Sequence, residues 1–520
     1  MKHLSRILSR GLTLDPTRSA VSSRSQAFDF ADFELLSNGL ALHLREHGVR
    51  RGDRVLVFAE KSVGTIALAI SLWKLGAIYV PVDVESPVER LDKIAARVRP
   101  VLACVPASGL SSGRTLAACE TLVLRELAEY LHTGRDFVAP ETEHAPDDIA
   151  YILHTSGTTG EPKGAALSHR SVLSFFDDYS RYLGMDRGTS VLNIGPFHFD
   201  VTFQDAFMPL YVGGCTFVCE GMLVPSVIFG LLQERRVTHF FAVAPVLTML
   251  TQKRALLARY DLEQLEVVIT GAEVCAPDVL HTWRDAKPGL RVINSYGPTE
   301  ANSVSVVHEI VGGVPAGTGF FPIGKPLPNV RTLHVDSALR PIDAPGVAGE
   351  LLIGGAQLME GYWTPDGFDR SRIIEVGGAA YYRTGDIVDV DERGDYRFCG
   401  RTDSEVKLFG RRINLLEIES ALCALDEVDA ALVWVLELPK GKEIVAAISV
   451  RAWGEDVRGK LTEQLQRALP RYMFPKHIGV TDAMPINSRG KLDRGLIFSR
   501  LDMALRSSRE SFLPLADSPS

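Results

Sequence analysis

The stretch Thr155–Gly164, TSGTTGEPKG, gathers groups that bind phosphate: three glycines, three threonines, one serine, and Lys163 behind a proline. Glycine lets backbone N–H groups converge on one point, while hydroxyls and a lysine add donors and positive charge. The stretch therefore suits a polyphosphate. The spacing G-x-x-x-x-G-K-[ST] of a Walker-type loop is absent. Ser/Thr/Gly clusters also make ordinary surface turns, so composition alone leaves both readings open.

The full string YILHTSGTTGEPKGAALSHR closely resembles the nucleotide-binding signature of the acyl- and aminoacyl-adenylate-forming enzymes. That superfamily includes acyl-CoA synthetases, firefly luciferase and the adenylation domains of nonribosomal peptide synthesis. Further signatures follow in the superfamily's order: FHFD ending at Asp200, NSYGPTE ending at Glu300, and GELLIGGAQLMEGYW from Gly349. YRTGD then ends at Asp386, GRTDSEVKLFGRRINLLEIE starts at Gly400, and NSRGKLD contains Lys491. The ordered set covers nearly the whole chain.

In such chemistry a carboxylate attacks the α-phosphate of ATP and pyrophosphate leaves, so charge builds on phosphoryl oxygens. The protein must supply positioning and charge stabilisation. The resemblance implies that Thr155, Ser156, Gly157, Thr158, Thr159 and Lys163 hold the phosphates. It implies that Gly271, Ala272, Glu273, Asn294, Ser295, Tyr296 and Gly297 line the nucleotide, with Tyr296 flanking the adenine. Thr299 would touch the α-phosphate, and Glu300 would help hold Mg2+, an ion that prefers carboxylate and phosphate oxygen. Asp386 would accept both ribose hydroxyls, and Arg401 would reach the ribose or phosphates. Standing alone, Asp386 also reads as a turn aspartate after Gly385, and Arg401 as a solvated charge. Lys491 matches the catalytic lysine that bridges the substrate carboxylate and the α-phosphate, a role that suits a flexible ammonium.

The superfamily works in two half-reactions, the second being attack of a pantetheine thiol on the adenylate after a C-terminal lid swings. Asp403 of GRTD matches the hinge of that lid, and Lys407 and Gly410 match the hairpin facing the site in the thioester-forming pose. Two departures occur. Glu405 stands where glutamine is usual, and Leu416 places a bulky side chain where glycine is common, near the expected thiol approach.

Asp200 decides the acid. Adenylation domains for α-amino acids carry an aspartate here that pairs with the substrate ammonium, and a pocket carboxylate calls for a cationic partner. A turn aspartate is the competing reading, and His198 beside it reads as a packed histidine. The matching specificity positions are Asp200, Val201, Gln204, Ala242, Val268, Thr270, Ser295, Ser303, Val304 and Lys491. The first three resemble proline-type pockets, and the lining is small and moderately polar. The expected substrate is a small or medium uncharged α-amino acid, with proline, alanine and serine leading. Neither a G-x-D-S-[LI]-type carrier site nor an HHxxxDG condensation signature is present. The expectation is a stand-alone adenylation enzyme, using ATP and Mg2+, that loads a separate phosphopantetheinylated carrier protein. An acyl-CoA synthetase is the alternative that Asp200 argues against. A non-catalytic nucleotide-binding relative is the alternative that Lys491, Glu300 and Asp386 argue against. Leu416 keeps open an adenylate passed to something other than a thiol.

These residues need a scaffold. RVLVFAE, KSVGTIALAISLWKLG and AIYVPVD read as strand, helix and strand, and the alternation recurs at SVLNIGPF, SVIFGLLQERRVTHFFAV and LEVVITGAE. The fold class is α/β: a large N-terminal domain of parallel-sheet subdomains over 1–400, with a small β-rich subdomain at about 314–400. A mobile α+β lid domain is expected over 401–507, and 508–520 reads as a frayed, disordered tail.

Length agrees: 520 residues exceed what one core supports. Hydrophobic residues at 46% and charged residues at 23% are those of a soluble globular protein. A net charge of −8 argues against a nucleic-acid partner. The most apolar stretch, Thr65–Val82, is interrupted by Lys74 and Pro81, so no membrane span is expected. The basic N-terminus reads as an amphipathic helix rather than a targeting peptide. Seven cysteines without a C-x-x-C pair point to a reducing cytoplasm, with Cys215 and Cys219 as buried thiols rather than metal ligands.

Overall fold

In the computed structural model the described residues are 2–105, 116, 118–138, 144–155, 162–252, 257–314, 320–402, 405–408, 410–438, 441–450, 453–485, 494–507 and 510–514. The strand–helix–strand pattern after Arg54 forms as its residues dictate. Arg54–Phe58 and Ile78–Val82 pair in parallel on either side of the Val63–Leu75 helix. Ser62 caps that helix by accepting from the Thr65 N–H, and Gly76 ends it in the left-handed conformation at φ +69°. Every residue of the helix is buried, as is every residue of the Ile78–Val82 strand, the near-continuous apolar run expected of a two-sided parallel sheet. Lys74, an apparent break in this run, is itself buried. Its ammonium meets Glu34 Oε1 at 2.8 Å, Ser37 Oγ at 2.8 Å and Asn38 Oδ1 at 2.6 Å.

The chain divides into two units. Met1–Val84, Ala95–His154 and Lys163–Asp403 form the larger; Glu85–Ile94, Thr155–Pro162 and Ser404–Ser520 form the smaller. In the larger unit one sheet runs Lys325–Pro326, Val306–Glu309, Arg291–Tyr296, Val267–Gly271, His239–Phe241, Ser190–Asn193, Cys215–Val218, Ser19–Ser22 and Ala27–Asp29. Its inner strands are parallel and its two ends antiparallel. A second sheet carries Lys163–Ser168 and Ile149–Thr155 beside Ile78–Val82. The short strands after Val330 build a third, antiparallel sheet, in which Asp386 lies directly across from Arg401. One hairpin leaves that β-rich region: Gly361–Thr364 pairs with Lys163–Ser168, Tyr362 opposite Ala165.

In the smaller unit, Glu405–Leu408 and Arg411–Asn414 form a hairpin leading into the Leu415–Cys423 helix. Val428–Leu438, Gly441–Val450, His477–Thr481 and Phe512–Pro514 form a sheet. The last strand corrects the reading of a frayed tail at these three residues: Phe512–Pro514 pair in parallel with Ile478–Val480, and Leu513 is buried. No helix among the described residues is long and apolar enough to cross a membrane.

Candidate active site

Two pairs of side chains join the segment after FHF to the segment Thr299–Ser303. Thr299 Oγ1 donates to Asp200 Oδ2 at 2.6 Å, and Gln204 Nε2 donates to Ser303 Oγ at 2.6 Å. Asp200 opens a helical turn, its carbonyl accepting the Phe203 N–H at 3.0 Å, and the wider π-type turn Phe203–Phe207 follows. Such turns recur at functional sites because they re-aim one side chain without breaking the helix. Gln204 is buried and Asp200 partly exposed, so one carboxylate and one amide define a polar corner beside the strand ends. His198 lies 3.6 Å from the Asp83 carboxylate and packs against Phe199.

The opposing segment is held in an uncommon shape. Asn302 and Ser303 are left-handed at φ +56° and +72°, as is Ala272 at +68°, a conformation that non-glycine residues adopt at a cost. A buried network fixes it. Tyr151 O–H donates to Asn302 Oδ1 at 2.9 Å, Asn302 Nδ2 donates to Gln357 O at 2.7 Å, and Gln357 Nε2 donates to Ala301 O and Val304 O. Burial, then the nearby Asp200 charge, raises the Tyr151 phenol well above its usual range, so it stays a donor. Gly297 must be glycine here, since a Cβ would lie 2.5 Å from Ser303 O.

A second group surrounds Asp386, which is 3% exposed. One carboxylate oxygen accepts from Tyr296 O–H and the other from Arg401, whose second NH2 group donates to Thr384 O at 3.2 Å. Both oxygens thus already hold a protein donor. A carboxylate offers about four lone-pair directions, so ribose hydroxyls would share these oxygens rather than meet bare ones. Burial first, and Asp386 second, raise the Tyr296 phenol well above its normal value.

The third group is Glu300, fully buried in the short Thr299–Ala301 turn. Tyr362 O–H donates to Glu300 Oε1 at 2.6 Å and lies 3.2 Å from Tyr382 O–H. Lys163 Nζ stands 5.3 Å from the centre of the Tyr362 ring, within cation–π range. Tyr362 therefore touches both the lysine expected to hold phosphate and the carboxylate expected near the metal. Its signal in the sequence is the tyrosine of GYW, to which motif chemistry alone assigns no role.

The remaining positions fall as follows. Thr270 and Gly271 pair in register with Asn294 and Ser295, and Ser295 Oγ donates to Thr270 O at 2.8 Å. Asn294 Nδ2 donates to Pro322 O at 2.9 Å. Glu273 follows on the loop after this strand, and Val201 begins the helical turn after Asp200. Val268 and Ala242 belong to a buried apolar cluster with Phe240 and Leu280, and Val304 belongs to the main core. Thr155 ends the Ile149–Thr155 strand. Ser156, Gly157, Thr158, Thr159, Asp403 and Lys491 lie outside the described residues. In the smaller unit Glu405 is buried and paired with Arg412, Oε2 at 2.8 Å from Nε, so the charge that replaces the usual glutamine is met by a guanidinium. Leu416 is 38% exposed on the first turn of its helix.

The fold thus brings together a carboxylate in a polar corner, a lysine and a buried glutamate that share one tyrosine, and a Tyr–Asp–Arg cluster. Residues 10–363 match the AMP-binding enzyme family, and residues 417–491 match the AMP-binding enzyme C-terminal domain. The chain belongs to the AMP-binding enzymes. It is 31% identical over 506 residues to the L-proline--[L-prolyl-carrier protein] ligase of Pseudomonas fluorescens, covering 95% of this chain and 98% of that protein. It is 34% identical over 488 residues to the isonitrile lipopeptide synthase of Mycobacterium tuberculosis, covering 92% of this chain and 18% of that protein. It is 28% identical over 512 residues to tyrocidine synthase 1 of Brevibacillus parabrevis, covering 96% of this chain and 45% of that protein. The chain thus spans less than half the length of these two synthases and nearly all of the ligase. Among solved structures, holo-PA1221, an NRPS protein containing adenylation and PCP domains, superposes with a TM-score of 0.81 at 25% identity, covering 96% of this chain and 84% of that one.

Proposed function

We propose that the protein activates a small or medium uncharged α-amino acid as its aminoacyl-adenylate, releasing pyrophosphate from ATP. It then transfers the aminoacyl group to the phosphopantetheine thiol of a separate carrier protein. The carrying observation is Asp200, whose carboxylate is oriented by Thr299 in a corner shared with Gln204 and Ser303. A carboxylate so placed selects an ammonium, because a partly buried charge is stabilised chiefly by a paired, hydrogen-bonded counter-charge. The likeness to a full-length ligase named for L-proline supports the carrier-loading reading and keeps proline beside alanine and serine as the first substrates to test.

The chain's groups divide the work. Asp200 holds the ammonium, and the substrate carboxylate then attacks the α-phosphorus as the bond to the departing pyrophosphate breaks. Lys163 and the hydroxyls of the Thr155–Thr159 loop offer donors to the phosphate oxygens, Thr299 gives its one hydroxyl proton to Asp200, and Lys491 bridges the two reacting anions. Asp386, Tyr296 and Arg401 hold the ribose side. The donor set fits magnesium: Glu300 supplies a hard oxygen kept in place by Tyr362, and phosphates supply most of the rest. When bound, the ion draws charge off the phosphates. The carrier thiol then bonds the acyl carbon as the bond to AMP breaks, which forms the thioester and releases AMP and the thiol proton.

The test is amino-acid-dependent ATP–pyrophosphate exchange across the common amino acids and their deaminated analogues. Exchange confined to one or a few small amino acids supports the reading. Exchange with simple carboxylic acids and none with amino acids replaces it with a carboxylic-acid ligase.

A further inference from the structure

A second site stands apart from the nucleotide groups, built from imidazoles. His3 lies between His144 and His169, with ring centroids 4.6 Å and 3.4 Å away. His3 and His169 are 6% and 0% exposed, and His144 is partly buried. One nitrogen of each ring is engaged by the backbone. His3 Nδ1 accepts the Ser5 N–H at 3.1 Å, and His169 Nδ1 accepts the Leu4 N–H at 3.3 Å. His144 Nε2 lies 3.1 Å from Lys74 O, so it carries the proton there. The other three nitrogens, His3 Nε2, His169 Nε2 and His144 Nδ1, are buried with no hydrogen-bond partner among the described residues. Buried polar atoms are rarely left unpaired, and three in one cluster need an explanation.

Asp148 closes the group: one ligand atom each from His3, His144 and Asp148 lie within 4.8 Å of one another. The carboxylate is already oriented, Arg51 donating to its two oxygens at 2.9 and 2.8 Å and the Ala145 N–H to one of them at 3.0 Å. Space for the imidazole comes from Gly76, where a Cβ would stand 2.7 Å from His144 Nδ1. The site is remote from the chemistry. Asp148 precedes the strand that leads toward the phosphate loop, and at about 3.3 Å per residue His154 lies roughly 20 Å along it.

We propose that His3, His144 and Asp148 bind one divalent transition-metal ion, zinc by preference, which clasps the N-terminal segment to the turn before the Ile149–Thr155 strand. Two imidazoles and a carboxylate favour such an ion over magnesium or calcium, which prefer all-oxygen sets. His144 presents the Nδ1 lone pair while its Nε2–H rests on a carbonyl, the usual outer support of a metal-bound histidine. For His3, ligation through Nε2 moves the ring proton to Nδ1. One backbone hydrogen bond is then exchanged for a metal–nitrogen bond at an otherwise unpaired atom. His169 stays outside the coordination sphere, its Nε2–H available to a metal-bound water.

The experiment uses the full chain, tag-free and stripped by chelation, titrated with Zn2+ by calorimetry and with Co2+ by absorption spectroscopy. One site per chain is expected, with visible Co2+ bands of nitrogen ligation and a thermal midpoint that rises with Zn2+. His144→Ala, at a partly exposed position, should weaken binding by about a hundredfold or more. Gly76→Ala, which crowds the same ring, should weaken it by roughly tenfold, while the surface control His132→Ala should leave it unchanged. Absence of a stoichiometric Co2+ spectrum in the wild type overturns the proposal, as does unchanged affinity in both His144→Ala and His3→Gln.

Discussion

Replacing Asp200 isolates the charge that selects the substrate. The carboxylate has one oxygen 2.6 Å from Thr299 Oγ1, so its position is set before any ligand arrives and no reorganisation offsets its loss. Asp200→Ala removes the charge-assisted partner of the substrate ammonium, at about 1.5–3 kcal/mol for a carboxylate that is only partly buried. At 1.4 kcal/mol per factor of ten this is roughly one to two orders of magnitude in the Michaelis constant for the amino acid. Asp200→Asn sharpens the test, because the amide oxygen can still accept from Thr299 while the charge is gone. If charge rather than shape recognises the substrate, Asn should cost nearly as much as Ala. The constant for ATP should barely move in either variant, since the Asp386 cluster and Lys163 are untouched. The assay is pyrophosphate exchange at saturating ATP with the amino acid varied, repeated with its deaminated analogue. The analogue should be poor with the wild type and comparatively better with Asp200→Ala. A wild-type Michaelis constant in Asp200→Asn, or equal wild-type turnover of amino acid and analogue, would refute the ammonium pairing.

Lys491→Ala should lower adenylation by about a hundredfold or more while thioester formation from a presynthesised adenylate changes far less; exchange near the wild-type rate removes Lys491 from the reaction. Tyr362→Phe deletes the 2.6 Å bond to buried Glu300 and should raise the Mg2+ concentration for half-maximal exchange by roughly tenfold, the scale of one hydrogen bond to a charged group; an unchanged Mg2+ profile would separate Tyr362 from the metal. Leu416→Gly should speed transfer to the carrier thiol without altering exchange, and an unchanged transfer rate would show that the leucine does not crowd the thiol. Burial lowers the His239 imidazole to about 4, so below pH 6.5 the unfolded chain takes up the proton first and stability falls with pH, by at most about 1.4 kcal/mol per unit. Burial raises the Asp205 carboxyl to about 6, and its contribution has the opposite sign, being lost as pH rises from about 4 to 6. Urea unfolding between pH 4 and 7 should show a shallower acid slope in His239→Asn, and an equal slope would exclude His239 as its source.

What the chain disclosed in advance was local or motif-borne. The apolar runs around the Val63–Leu75 helix carry their own period, so strand, helix and strand could be read where they stand. Asp200, Thr299, Gln204 and Ser303 could be named one by one because each falls in or beside a recognisable string, and the fold joins them in two hydrogen bonds. The groups that support them were hidden by sequence distance. Tyr151 meets Asn302 from 151 residues away, and Gln357 meets Asn302 from 55; neither separation has a period that composition or patterning could reveal. Tyr362 reaches Glu300 only because its hairpin leaves the β-rich region to pair beside Lys163, a topological choice that no short window contains. Lys74 looked like an interruption because its partners, Glu34, Ser37 and Asn38, lie on another helix. The same reasoning explains Phe512–Pro514: serines and prolines nearby suggest fraying, yet three residues suffice to extend a sheet whose open edge lies at His477–Thr481. Residues that lie within motifs are therefore legible one by one, whereas the residues that orient them become legible only once distant segments are brought together. Substitutions at Tyr362 and Gln357 accordingly test this fold's contribution to the reaction more directly than substitutions within the motifs' glycines.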